Sequence, residues 1–147
     1  MTERELLLIA ANGHTRALLL AELQEVGYNV VALPSLEVAL AALATGRVHP
    51  ALVVLDTQGD LRADPRGVGQ LLNFLEENVP LVLVVGAYDA RALTPLRARV
   101  AAWLPRPLRI EDILTTIQRL LKENPEDTRT QKTTGSANRG FAEPVVL

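Results

Sequence analysis

The chain of 147 residues contains no cysteine. Disulfides, thiolate metal sites and cysteine nucleophiles are therefore excluded. No Lys/Arg cluster interrupts the sequence, and the net charge is −2 with a pI near 5.7, so electrostatic binding to nucleic acid is not expected. No apolar run approaches the roughly 18 residues that a membrane span needs. The opening Met1-Thr-Glu-Arg-Glu is followed by only five apolar residues, too few for a secretory leader. These absences predict a soluble cytoplasmic protein that contacts neither nucleic acid nor membrane. Gly-rich phosphate loops are missing too: Asn12-Gly13-His14 carries one glycine where G-x-G-x-x-G or the P-loop needs several.

What is present is an ordinary globular balance, 48% hydrophobic and 22% charged, in a length that suits one domain. The central stretch is Pro50-Ala-Leu-Val-Val-Leu-Asp56. A short apolar run ending in a turn-rich loop, here Thr57-Gln-Gly-Asp60, is the pattern of a strand buried on both faces of a parallel sheet. In open α/β sheets the ligand crevice lies beyond the carboxyl ends of the strands. Asp56 is placed there.

Further strands are expected over residues 5–11, 28–33, 80–85 and 101–104. Between them, Leu19, Leu20, Leu23 and Val26 recur at helical spacing, with Thr15 or His14 opening the helix and Gly27 ending it. Ser35 is a good N-cap for a helix over 36–44 that Gly46 closes. A polar loop over 57–66 leads to a helix carrying Val68, Leu71, Leu72 and Leu75. Residues 89–99 form a weaker helix, because Pro95 lacks an amide donor. Ile110, Ile113, Leu114, Ile117, Leu120 and Leu121 make the clearest apolar stripe in the chain. Strand and helix alternate five times, which predicts an α/β fold: a five-stranded parallel sheet with helices on both faces.

The folded domain is placed at residues 1–122. Residues 123–147 form a polar tail, expected to be disordered, that ends in the apolar Phe141-Ala-Glu-Pro-Val-Val-Leu147. That end has two readings: an inert terminus, or a tethered motif that adds a short strand or docks on a partner.

The five βα units, Asp56, Ala87-Tyr88 after the fourth strand, Trp103-Leu-Pro-Arg-Pro107 and Glu25-Val-Gly-Tyr28 together resemble the receiver domain of bacterial two-component response regulators, the chemotaxis-regulator-like type. The likeness covers about residues 4–122 and implies a flavodoxin-like (βα)5 doubly wound fold. It also implies that Asp56 stands at the phospho-acceptor position. The family's acidic pair that binds Mg²⁺ falls on Ala10 and Ala11, its switch Thr or Ser on Gly86, and its Lys on Arg106. Its aromatic switch position is Trp103, which reads equally well as part of a binding face or as a core residue.

These departures imply a degenerate pseudo-receiver. Mg²⁺ is held by carboxylates and phosphate oxygens, and phosphoryl transfer relies on positioning and charge neutralisation. With one carboxylate left, Mg²⁺ binding is expected to be weak or absent and phosphorylation impaired. Arg106, a planar fork suited to a carboxylate pair, is expected to bind Asp56 and fix the site, or else to sit exposed beside it. Arg106-Pro107 is a candidate cis bond.

The loop after Asp56 is longer than the family's. Its Asp60 and Asp64 read either as replacement metal ligands or as solvated loop residues. His14 reads as a cap or surface residue rather than a catalytic base, since no second base or nucleophile accompanies it. No catalytic residue, no bound metal and no enzyme activity are expected. The expected partners are a sensor kinase, another regulator, or a second copy through the face of the fourth helix, fifth strand and fifth helix. The alternative is a working phosphorelay receiver in which a dedicated kinase phosphorylates Asp56.

Overall fold

In the computed structural model, residues 5–122 and 146–147 are described. The expected disorder of the polar tail therefore falls, for 123–145, outside the described residues. Five strands, β1 (Glu5–Ala10), β2 (Asn29–Leu33), β3 (Leu52–Asp56), β4 (Leu81–Val85) and β5 (Ala102–Pro105), form one parallel sheet in the order β2-β1-β3-β4-β5. The order reverses between β1 and β3, so the crevice at the switch point opens beside Asp56. Register places Ala10 opposite Asp56 and Asp56 opposite Val84.

Every residue of β3 and β4 is buried, as continuous apolar runs between two helical layers require. On one face α2 (Leu36–Ala44) and α3 (Pro65–Phe74) cover Leu7, Ile9, Val53, Leu55, Leu81 and Leu83. On the other, α1 (Gly13–Val26) and α5 (Ile110–Lys122) cover Leu6, Leu8, Leu52, Val54, Val82 and Val84. Alternation along each strand sends successive side chains to opposite layers. Ile110, Ile113, Ile117 and Leu121 are the buried apolar positions of α5, the stripe that the spacing predicts.

Several element ends differ from the sequence reading. Asn12, rather than His14 or Thr15, caps α1: its Oδ1 accepts from Thr15 N–H at 2.9 Å. Gly27 ends α1 in the left-handed region, φ 111°, where glycine carries no steric penalty. At the end of α2 the cap is Thr45, whose hydroxyl donates to Ala41 C=O at 2.9 Å. Residues 89–99 are not one helix. A short α4 (Ala87–Leu93) gives way to a 3-10 segment, Thr94–Arg99, with Pro95 in its first turn, where a missing N–H costs nothing.

The long loop after β3 folds back on the domain. Asp64 caps α3, its Oδ1 accepting from Gly67 N–H at 2.7 Å, and Pro65 takes the first helical position. α3 thus begins inside the stretch expected to be loop. A Cβ on Gly67 would lie 1.7 Å from Arg62 C=O, so only glycine lets the loop approach the helix this closely. Asp60 reaches the neighbouring helix, its Oδ2 accepting from Leu36 N–H at 2.8 Å.

Candidate functional site

Four chain segments converge at the carboxyl edge of the sheet: the end of β1, the end of β3 with its loop, the β4–α4 turn and the β5–α5 corner. Asp56 is the last residue of β3 and is 1% exposed. Arg106 follows β5, continuing its ladder through Arg106 N–H to Val85 C=O at 3.0 Å, and the Arg106–Pro107 bond is cis. Its side chain crosses the end of β4 to reach Asp56. Nε donates to Asp56 Oδ1 at 3.4 Å, and Nη2 forms a short ion-paired hydrogen bond to Oδ2.

Both carboxylate oxygens are thus engaged by one guanidinium fork, the geometry for which Arg is suited and Lys is not. Gln58 N–H adds a third donor to Oδ1 at 3.1 Å. The environments are unequal: the Arg106 side chain is 14% exposed, while Asp56 is sealed. A buried carboxylate without its partner would carry a large desolvation penalty. Arg106 is therefore what allows a charge to sit at the end of β3.

Ala10 is buried and Ala11 half-buried at the end of β1. Gly59, at φ 78°, brings the loop near Ala11; a Cβ there would lie 3.8 Å from the Ala11 methyl. From α1, Arg16 Nη1 donates to Ala10 C=O at 2.8 Å. A cationic side chain thus occupies the end of β1. His14 is exposed on the first turn of α1.

At the β4–α4 turn, Gly86 N–H donates to Thr57 Oγ1 at 3.1 Å, and that hydroxyl donates in turn to Asp89 Oδ2 at 2.8 Å. Thr57 is 1% exposed. A hydroxyl therefore exists beside residue 86, supplied by the neighbour of Asp56 and committed in both directions. Sequence reasoning missed Thr57 and Asp89. In the sequence Thr57 is part of a turn-rich loop, and the one available signal is a hydroxyl adjacent to a strand-ending carboxylate.

The residues at this edge do not fit a bound Mg²⁺. The two positions at the end of β1 carry methyl groups, and the Asp56 oxygens accept from Arg106 and Gln58. Asp60 and Asp64 accept from backbone amides of Leu36 and Gly67, so the reading of them as replacement ligands is not supported. Among the described residues no group of three or more His, Asp or Glu side chains could hold a metal ion. No helix among them is long and apolar enough to cross a membrane.

An open groove of about 550 Å³ lies beside the ion pair, lined by Gln58, Gly59, Gly86, Ala87, Tyr88, Asp89, Arg106, Pro107 and Leu147. Tyr88 stands over it at 98% exposure. Trp103 is half-buried, packed against the α2–α3 layer, and the Arg97 guanidinium lies 5.0 Å from its ring centroid. Such stacking holds the indole in place.

No family model matches this sequence, and no curated protein matches it. Solved structures do. A response regulator receiver domain protein (CheY-like) from Methanospirillum hungatei superposes with a TM-score of 0.69 at 18% identity, over 86% of this chain and 99% of that one. A response regulator receiver protein from Burkholderia phymatum gives 0.64 at 20% identity, over 81% and 95%. A receiver-modulated diguanylate cyclase from Pelobacter carbinolicus gives 0.61 at 24% identity, over 86% and 99%. The likeness establishes the fold: five parallel strands and flanking helices arranged as in CheY-like, flavodoxin-like domains.

Proposed function

We propose that this chain is a receiver-like signalling module that acts through protein contacts, with Asp56 kept as the fixed counter-ion of Arg106 rather than used as a phospho-acceptor. The observation that carries the reading is the Arg106 fork on both oxygens of a sealed Asp56. A carboxylate must present a free oxygen to attack a phosphoryl donor, and charge on the transferring group must be neutralised in place. Here the oxygens are occupied, the acidic pair is replaced by Ala10 and Ala11, and Thr57 rather than residue 86 holds the nearby hydroxyl. The solved receiver structures support the signalling role by likeness of fold.

Without phosphoryl input, regulation falls to binding. The partners that suit this module are a sensor kinase, another regulator or a second copy. The surface they would meet is α4, β5 and α5, where Arg97, on the 3-10 segment between α4 and β5, stacks on Trp103 of β5 as a pre-arranged anchor of the kind enriched at interfaces. The reading predicts no phosphoryl adduct in intact-mass spectra after incubation with acetyl phosphate and Mg²⁺, and unchanged Trp103 emission. An adduct that disappears in Asp56→Ala would replace it with the working phosphorelay receiver.

A further inference from the structure

Val146 and Leu147 lie against the corner where β5 turns into α5. Val146 forms an antiparallel bridge with Arg109, and Leu147 N–H donates to Leu108 C=O at 2.8 Å. The Leu147 side chain packs against the α1–α5 core layer, whereas Val146 is 60% exposed. One residue in and the next out is the alternation of an extended segment added to an edge. The corner itself is firmly built: Asp112 Oδ2 accepts from Arg109 N–H at 3.1 Å, the backward half of a capping box at the start of α5.

Leu147 also lines the groove, together with Ala87, Tyr88, Arg106 and Pro107. The length of chain between is ample. α5 is 13 residues long, about 20 Å at 1.5 Å per residue, and residues 123–145 can span that several times over.

We propose that the Leu108–Arg109 corner is a docking site for an extended apolar segment, held in cis by Val146-Leu147, and that this occupant closes the β5–α5 side of the Asp56–Arg106 crevice. A partner that approaches the crevice from this side must displace the segment. The closure is independent of whether Asp56 ever carries a phosphoryl group, so its test and the phosphorylation test above fail separately.

The absence of cysteine makes the test direct. A single thiol is introduced in the full chain at the covered corner by Leu108→Cys, or in the opposite core layer by Ala39→Cys, both buried positions, and its reaction with a bulky maleimide is timed. Adding Leu147→Asp is expected to speed labelling at position 108 roughly five- to tenfold, the scale of one net hydrogen bond and a part-buried apolar side chain. Labelling at position 39 should not change. Equal rates at position 108 with and without Leu147→Asp would overturn the proposal. Should the substitution loosen the whole domain, seen as faster labelling at both positions, hydrogen exchange in the unsubstituted chain decides. Leu147 N–H must then exchange several-fold slower than an unprotected amide, and unprotected exchange would overturn the proposal.

Discussion

Gly86 N–H and Thr57 Oγ1 are joined by a 3.1 Å hydrogen bond, buried at the carboxyl edge of the sheet. The same hydroxyl donates to Asp89, so Thr57 ties the β4–α4 turn to the residue next to Asp56. The bond is a structural fastener between the β4–α4 turn and the end of β3.

Replacing Thr57 with Val keeps the shape and removes both bonds. A buried amide and a carboxylate lose their partner, and unsatisfied groups of this kind cost roughly 1–3 kcal/mol. Thr57→Ser retains the hydroxyl and should cost less than half as much. Urea unfolding midpoints of the two variants check the order.

Gly67 and Gly69 lie two residues apart in α3 and should respond with opposite signs. A Cβ at Gly67 meets Arg62 C=O at 1.7 Å, while one at Gly69 meets nothing within 4 Å. Gly67→Ala forces a backbone shift and is expected to destabilise by about 1–3 kcal/mol, the scale of overpacking. Gly69→Ala removes helix-interior glycine and should stabilise by roughly 0.5–1 kcal/mol. Thermal and denaturant unfolding of both variants separate the two effects.

Asp60→Ala should act on α2 rather than on any metal chemistry. It deletes the acceptor for Leu36 N–H but leaves Ser35 on Val38 N–H, so a loss of about 1 kcal/mol, typical of one cap, is expected. Hydrogen exchange at Leu36 should rise more than at the core strands. Mg²⁺-dependent changes lost in this variant would show Asp60 to be a ligand instead.

The fold was legible because its signals are local. Continuous apolar runs mark β3 and β4, the stripe of α5 has helical period, and Gly27 ends α1 as a left-handed cap. Arg106 and Asp56 could be paired on paper because the resemblance implies that both stand at one site, and a guanidinium fork suits a carboxylate. What could not be read depends on approach in space. Asp60 caps a helix 24 residues upstream, and Thr57 meets Asp89 across two loops. Gly67 is fixed by the carbonyl of Arg62, which composition does not reveal. The division of residues 89–99 into α4 and a 3-10 segment follows Pro95, which composition marks as a weak point in a helix but not as the start of a new segment.

The pairing of Asp56 with Arg106 is the central claim, and a double-mutant cycle on unfolding free energy measures it. Arg106→Ala strands a sealed carboxylate and should cost roughly 3 kcal/mol or more. Asp56→Ala leaves a guanidinium that already reaches water and should cost about 1–2 kcal/mol. The double variant should lie well below the sum of the two, giving a coupling of roughly 1.5–3 kcal/mol, the range of hydrogen bonds to charged groups. Additive losses, with Asp56→Ala neutral or stabilising, would contradict the account: Asp56 would then be an uncommitted carboxylate, free for phosphoryl chemistry.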